Sequence, residues 1–167
     1  MGIVALVLGV VTLLIANRWR KKVVFALLGV LWAAGLGAYV YASYGAQRAM
    51  AAAERRTTRA VIEVQGQVGE SWGVTRTVAV RTPGELASLF EGLKLERNAV
   101  GMTSACGCTG NPHIQLCDAE GRFATVTVHH GRMVRGTLWS CGNVDLRAEA
   151  AAKLRAFMDS KGVELED

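Results

Sequence analysis

From Met1 to Gly45 the chain contains no aspartate or glutamate, and its only charged side chains there are Arg18, Arg20, Lys21 and Lys22. Placing a charge in hydrocarbon costs roughly 2.5 kcal/mol or more, so sequences that cross a bilayer exclude such groups. Cysteine and histidine are absent before Cys106, which confines any thiol or imidazole chemistry to the last third of the chain. A basic excess is missing where nucleic acid would need one. Residues 61–167 carry eleven basic and thirteen acidic side chains, a balance of −2, while residues 1–60 carry eight basic against Glu54 alone. The overall charge of +5 is therefore a property of the first third, and a nucleic-acid partner is excluded. No phosphate loop, dinucleotide fingerprint, serine-hydrolase elbow or zinc-protease motif occurs, so no reaction is named and no catalytic residue is assigned.

Two apolar stretches fill the acid-free opening. Residues 2–16 are apolar or small throughout. They are short for a span, since about 20 residues rising ~1.5 Å each cross a bilayer. No basic stretch precedes them and a second apolar run follows at once, which argues against a signal peptide. Residues 23–45 are long enough to cross, and Tyr39, Tyr41 and Tyr44 at their far end suit the headgroup layer. Gly29, Ala33 and Gly37 recur every four residues, a ridge of small residues that lets another helix approach. Its partner is the first helix, a membrane-protein partner, or a second copy in a homodimer. The four basic residues between the stretches outweigh the more scattered Arg48, Arg55, Arg56 and Arg59, which puts the short loop in the cytoplasm. The expectation is a bacterial inner-membrane protein with the lipid bilayer as partner and an extracytoplasmic soluble domain.

The expected organisation is a transmembrane helical hairpin over 1–46, a basic helical stalk over 47–60 and a soluble domain over 61–167. Strands are expected at 61–64 and 72–80, where Trp72, Val74, Arg76, Val78 and Val80 alternate with other residues. Thr82-Pro83-Gly84-Glu85 is a capping box with proline at the first helical position. Leu86, Leu89, Phe90 and Leu93 then form one apolar helical face. A Gly/Ser/Thr-rich loop at 97–111 leads to strands at 113–117, 122–130 and 133–139. A last helix is expected at about 145–161, with Gly162 as its stop. The fold class expected is membrane-anchored α+β: the two-helix hairpin followed by a small antiparallel-sheet domain with two helices.

Cys106, Cys108, Cys117 and Cys141 lie among His113, His129 and His130. As disulfide candidates, the four cysteines allow three pairings that would stiffen the long loop. As a metal site, Cys106, Cys108 and His113 with Cys117 or Cys141 could hold zinc, although a Cys-x-Cys step is tight for two thiolates on one ion. A thiol activated by a histidine, or free buried thiols, are the remaining readings. In an extended segment His129 shares a face with Thr125 and Thr127, and His130 with Val126 and Val128. Arg132 and Arg135 flank the His-His-Gly turn and, with Asn111, would line an anion-binding pocket.

The run Cys106-Gly107-Cys108-Thr109-Gly110-Asn111-Pro112-His113-Ile114, followed by His129-His130-Gly131 and Trp139, resembles a group of uncharacterised bacterial proteins. These pair a C-x-C-x-G-(N/D) loop with a downstream His-His-Gly turn. The resemblance covers 105–146 and implies that loop and turn belong to one site. It carries no assigned activity, and Trp139-Ser140-Cys141 departs from the pattern. The function expected is a membrane-anchored binding or assembly domain, an accessory subunit of a membrane complex, with disulfides in its cysteine-rich loop and no cofactor. The alternative is a membrane-tethered metal-binding or thiol-redox protein with zinc as cofactor.

Overall fold

The structure, a computed structural model, describes residues 21–96, 109–139 and 142–165. The chain divides into two units, Met1–Tyr41 and Ala42–Asp167. A single helix, α1 (Lys21–Arg56), runs through both. In the first unit its large apolar side chains are exposed: Phe25, Leu27, Val30, Leu31, Trp32 and Leu36 are 59–69% accessible. At about 100° per residue these six lie all round the helix rather than on one stripe.

The transmembrane expectation is corrected here. Among the described residues no helix is long and apolar enough to cross a membrane. A span needs about 20 consecutive apolar helical residues, which at ~1.5 Å per residue match a hydrocarbon core ~30 Å thick. The two-helix transmembrane hairpin and the inner-membrane location, with its extracytoplasmic domain, fall with that finding. The expected first apolar helix, 2–16, lies outside the described residues.

The second unit is built on a six-stranded antiparallel sheet: β1 (Arg59–Val68), β2 (Ser71–Val80), β3 (His113–Asp118), β4 (Gly121–His129), β5 (Met133–Gly136) and β6 (Asn143–Asp145), in the spatial order β2-β1-β3-β4-β5-β6. Alternation decides which side is core. Ala60, Ile62, Ile114, Leu116, Ala124, Val126, Val128, Val134 and Val144 project to one face and are buried together. Onto this inner face pack α2 (Pro83–Gly92), α3 (Ala148–Ser160) and the last turns of α1. Ala46, Met50 and Ala53 of α1 are buried in this core, so the segment expected to be a stalk forms part of the folded unit.

Local chemistry fixes the joints. Gly69, at φ +61, makes a two-residue turn between β1 and β2. The capping box forms at α2: the Glu85 amide donates to Thr82 Oγ1, and the Thr82 amide donates to Glu85 Oε2. Lys161 pairs with the same carboxylate, and these contacts hold Glu85 down at about 2. Helices α2 and α3 touch at Gly92, where a Cβ would lie 2.8 Å from Leu154 Cα. The end of α1 is tied to the sheet by Arg56, which pairs with Asp118 at 2.5 Å and stacks 4.4 Å from the Phe123 ring centre. Arg76 of β2 donates to the carbonyls of Lys161 and Gly162 at the end of α3, a cation at the negative pole of the helix.

Three expected boundaries shift. The last helix, expected from about Asp145, begins at Ala148, and Asn143–Asp145 is strand β6, paired through Val144 with Val134. Strand β4 ends at His129, so His130 leaves the sheet and enters a turn at φ +49. The expected strand 133–139 likewise ends at Gly136.

Candidate functional site

The outer face of the sheet is polar. The register aligns Glu63 with His113, His113 with Thr127, Thr127 with Arg135, and Arg135 with Asn143. Directly opposed residues of antiparallel strands project to the same side, so these five form one row across five strands. His129, two residues beyond Thr127, shares that side and is 1% exposed. Arg135 Nε donates to Asn143 Oδ1 at 2.8 Å. His113 Nε2 is buried and has no hydrogen-bond partner among the described residues.

A short segment closes over this row. Asn111 works as an extra strand residue: its amide NH₂ donates to the Gln65 carbonyl at 3.0 Å, and its Oδ1 accepts from the Gln65 amide at 2.9 Å. Its own backbone N–H donates to the Val128 carbonyl. Gly110 then sits directly on His129. A Cβ there would lie 2.6 Å from His129 Nε2 and Cε1 and 2.6 Å from Thr127 Cγ2, and φ is +72, so only glycine fits. Burial lowers the His129 pKa, and the positive fields of Arg135, His130 and His113 lower it further. The imidazole is therefore held neutral, able to donate at one ring nitrogen and accept at the other.

The sequence-predicted binding residues divide between two places. Asn111, His129 and Arg135 belong to the outer face. His130 and Arg132 do not: together with Arg155 of α3 they line a groove of about 580 Å³ between the β4–β5 turn and the helix. The anion pocket expected from Arg132, Arg135 and Asn111 is thus split between two sites.

Of the expected metal and disulfide cluster, His113 and Cys117 lie among the described residues. No group of three or more His, Cys, Asp or Glu side chains that could hold a metal ion exists among the described residues. His113 and Cys117 lie four residues apart on one extended strand, about 13 Å at ~3.3 Å per residue, too far to share an ion whose ligands sit at ~2.0–2.3 Å. Cys117 is a buried, free thiol, so it forms no disulfide. Cys106, Cys108 and Cys141 lie outside the described residues.

Comparison with protein-family models, with curated proteins and with solved structures finds no match. The site is accordingly read from its own geometry. Period two along β4 already places Thr127 beside His129. Sequence reasoning missed Gly110 as the lid on His129, Asn143 as the partner of Arg135, and Arg155 in the groove. These three depend on contacts between separate elements, which no local pattern records.

Proposed function

We propose that this chain is an assembly protein, in which helix α1 joins one copy to a second and the sheet unit is the domain so paired. One observation carries the reading: six large apolar side chains between Phe25 and Leu36 are 59–69% exposed around the helix. Soluble monomers seldom expose a contiguous apolar surface of more than a few hundred Å², and a helix that is apolar all round is normally covered. A second copy is favoured by the ridge of Gly29, Ala33 and Gly37. A Cβ built at Gly29 or Gly37 meets no atom within 4 Å, so the ridge is open. Val30 and Leu36 border it on either side, which makes a shallow groove with apolar rims. Such a stripe is self-complementary, as a two-fold interface between identical helices requires.

The test is the association state of the full chain and of its Ala33→Leu/Gly37→Leu variant by sedimentation equilibrium. The expected result is a dimer that the two leucines weaken or abolish, because they hold the backbones apart. A wild-type monomer across the micromolar range overturns the reading. So does a chain recovered as monomer on lipid vesicles, or a variant that pairs as well as the wild type.

A further inference from the structure

We infer that the open edge of the sheet is a second contact between copies of this chain, in which β2 pairs antiparallel with β2 of another copy. The two edges of the sheet are built differently. Strand β6 is three residues long and its free side is occupied: the Glu96 amide donates to the Asp145 carbonyl at 2.8 Å, and Leu95 bridges to Leu146. Strand β2 is ten residues long, holds no proline or lysine, and has no strand on its second side among the described residues. Short length, lysine and proline are the usual protections of an edge against pairing. The backbone direction follows from β1. Gln65 turns its N–H and C=O to the Asn111 side chain, away from β2. Alternation therefore turns the backbone groups of its β2 opposite, Val74, to the open side, with Trp72 before it and Thr77 and Ala79 beyond.

A bulge sits in this edge. Val64 faces Arg76 and Gln65 faces Val74, so Thr75 is the extra residue. It shifts the side-chain alternation, and Trp72 and Val74 thereby share the outer face of the sheet with Thr77 and Ala79. A two-fold axis between Thr75 and Arg76 then sets Trp72 against Ala79 of the second copy and Val74 against its Thr77, each pair on one face. Without the bulge the same register would oppose residues of opposite faces. The match is large against small: Trp72 is 75% and Val74 45% exposed, and alanine and threonine leave room for them. The same register sets Glu70, in the turn before β2, against Arg81, just past its end, and both are exposed. The two-fold makes that opposite-charge pair occur twice. Arg76, beside the axis, is held by the carbonyls of Lys161 and Gly162, so the two copies bring no like charges together there. This charge and size complementarity selects a second copy as the occupant rather than an unrelated extended peptide. A contact one strand wide is at the small end of specific interfaces, below about 1,200 Å², where association is weak. It therefore belongs to millimolar concentration, above the micromolar range of α1 pairing, and it does not rest on α1.

The test uses the full chain carrying Ala33→Leu/Gly37→Leu, followed by sedimentation and by amide hydrogen exchange at micromolar and at millimolar concentration. At the higher concentration a particle of two chains is expected, with the amides of Trp72, Val74, Thr77 and Ala79 exchanging at least about twofold more slowly. Arg81→Glu should weaken this association about tenfold, because the altered pair acts twice, and adding Glu70→Arg should restore it. Val74→Lys should abolish it while circular dichroism stays unchanged. Exchange at the four amides that does not depend on concentration overturns the proposal. So does Arg81→Glu associating like its parent, or a charge-swapped variant that fails to recover. The readout lies at β2, so it fails or succeeds separately from the α1 test.

Discussion

The two ends of helix α1 treat the same kinds of residue in opposite ways. Near its start, Phe25, Leu27, Val30, Leu31, Trp32 and Leu36 are largely exposed, whereas near its end Ala46, Met50 and Ala53 are buried at 5% or less. Helix propensity does not distinguish the two ends, since both are helical throughout. What differs is the presence of a sheet. From Ala42 onward the helix belongs to the unit whose apolar sheet face it covers, and Gln47 anchors it by donating to the carbonyls of Leu95 and Glu96. The lesson is that apolar content alone does not specify a destination. The later turns are buried in the fold, and the earlier ones are left exposed.

Substitutions should separate the two ends by their effect on unfolding. The largest loss is expected at Leu154, fully buried at the α2–α3 contact: Leu154→Ala should lower unfolding stability by about 2–5 kcal/mol in urea titration. Gly92→Ala, which forces a methyl group to within 2.8 Å of Leu154 Cα, should cost about 1–3 kcal/mol by overpacking. Thr82→Ala removes the N-cap of α2 and should cost about 1 kcal/mol. At the other end, Phe25→Ser and Trp32→Ser should leave the unfolding transition of the sheet unit within about 0.5 kcal/mol of wild type, while reducing association. An equally large loss of sheet stability in these two variants would erase the distinction.

Among the described residues, the groups with displaced pKa values all lie in the sheet unit. Lys161 with the Thr82 cap holds Glu85 at about 2, and Lys94 with Lys153 holds Glu91 at about 2, each below an ordinary value of 4.5. Lowered carboxyl values stabilise the fold above pH 4.5, and that contribution is lost as pH falls towards 2. His129 is lowered from 6.5, chiefly by burial, so the unfolded chain takes up its proton first and stability declines as pH drops below 6.5. Melting temperatures measured from pH 7.5 downward should show that decline, and His129→Gln should remove the part near neutrality while leaving the acid limb.

β4 was legible because a strand with one buried face writes a period-two pattern, and the Thr-Pro-Gly-Glu box placed α2. β2 shows the same alternation in sequence, although only Val80 of it is buried and Trp72 and Val74 are exposed. β6 was hidden because three residues carry no period, and an Asn and an Asp just before an alanine-rich stretch imitate a helix start. The candidate sites were legible only in part. Clustering in sequence joined Cys117 to His113 and Arg132 to Arg135, whereas an extended strand carries the first pair about 13 Å apart and a turn separates the second pair between two sites. The membrane assignment rested on composition over the first 45 residues, and the described helix does not sustain an apolar span of the necessary length.

The central claim is that α1 pairs two copies of the chain, and the mass of the native particle tests it most directly. Native mass spectrometry of the full chain should give twice 17.8 kDa, reverting towards a single chain in Ala33→Leu/Gly37→Leu. A wild-type particle of one chain, with α1 intact, would contradict it.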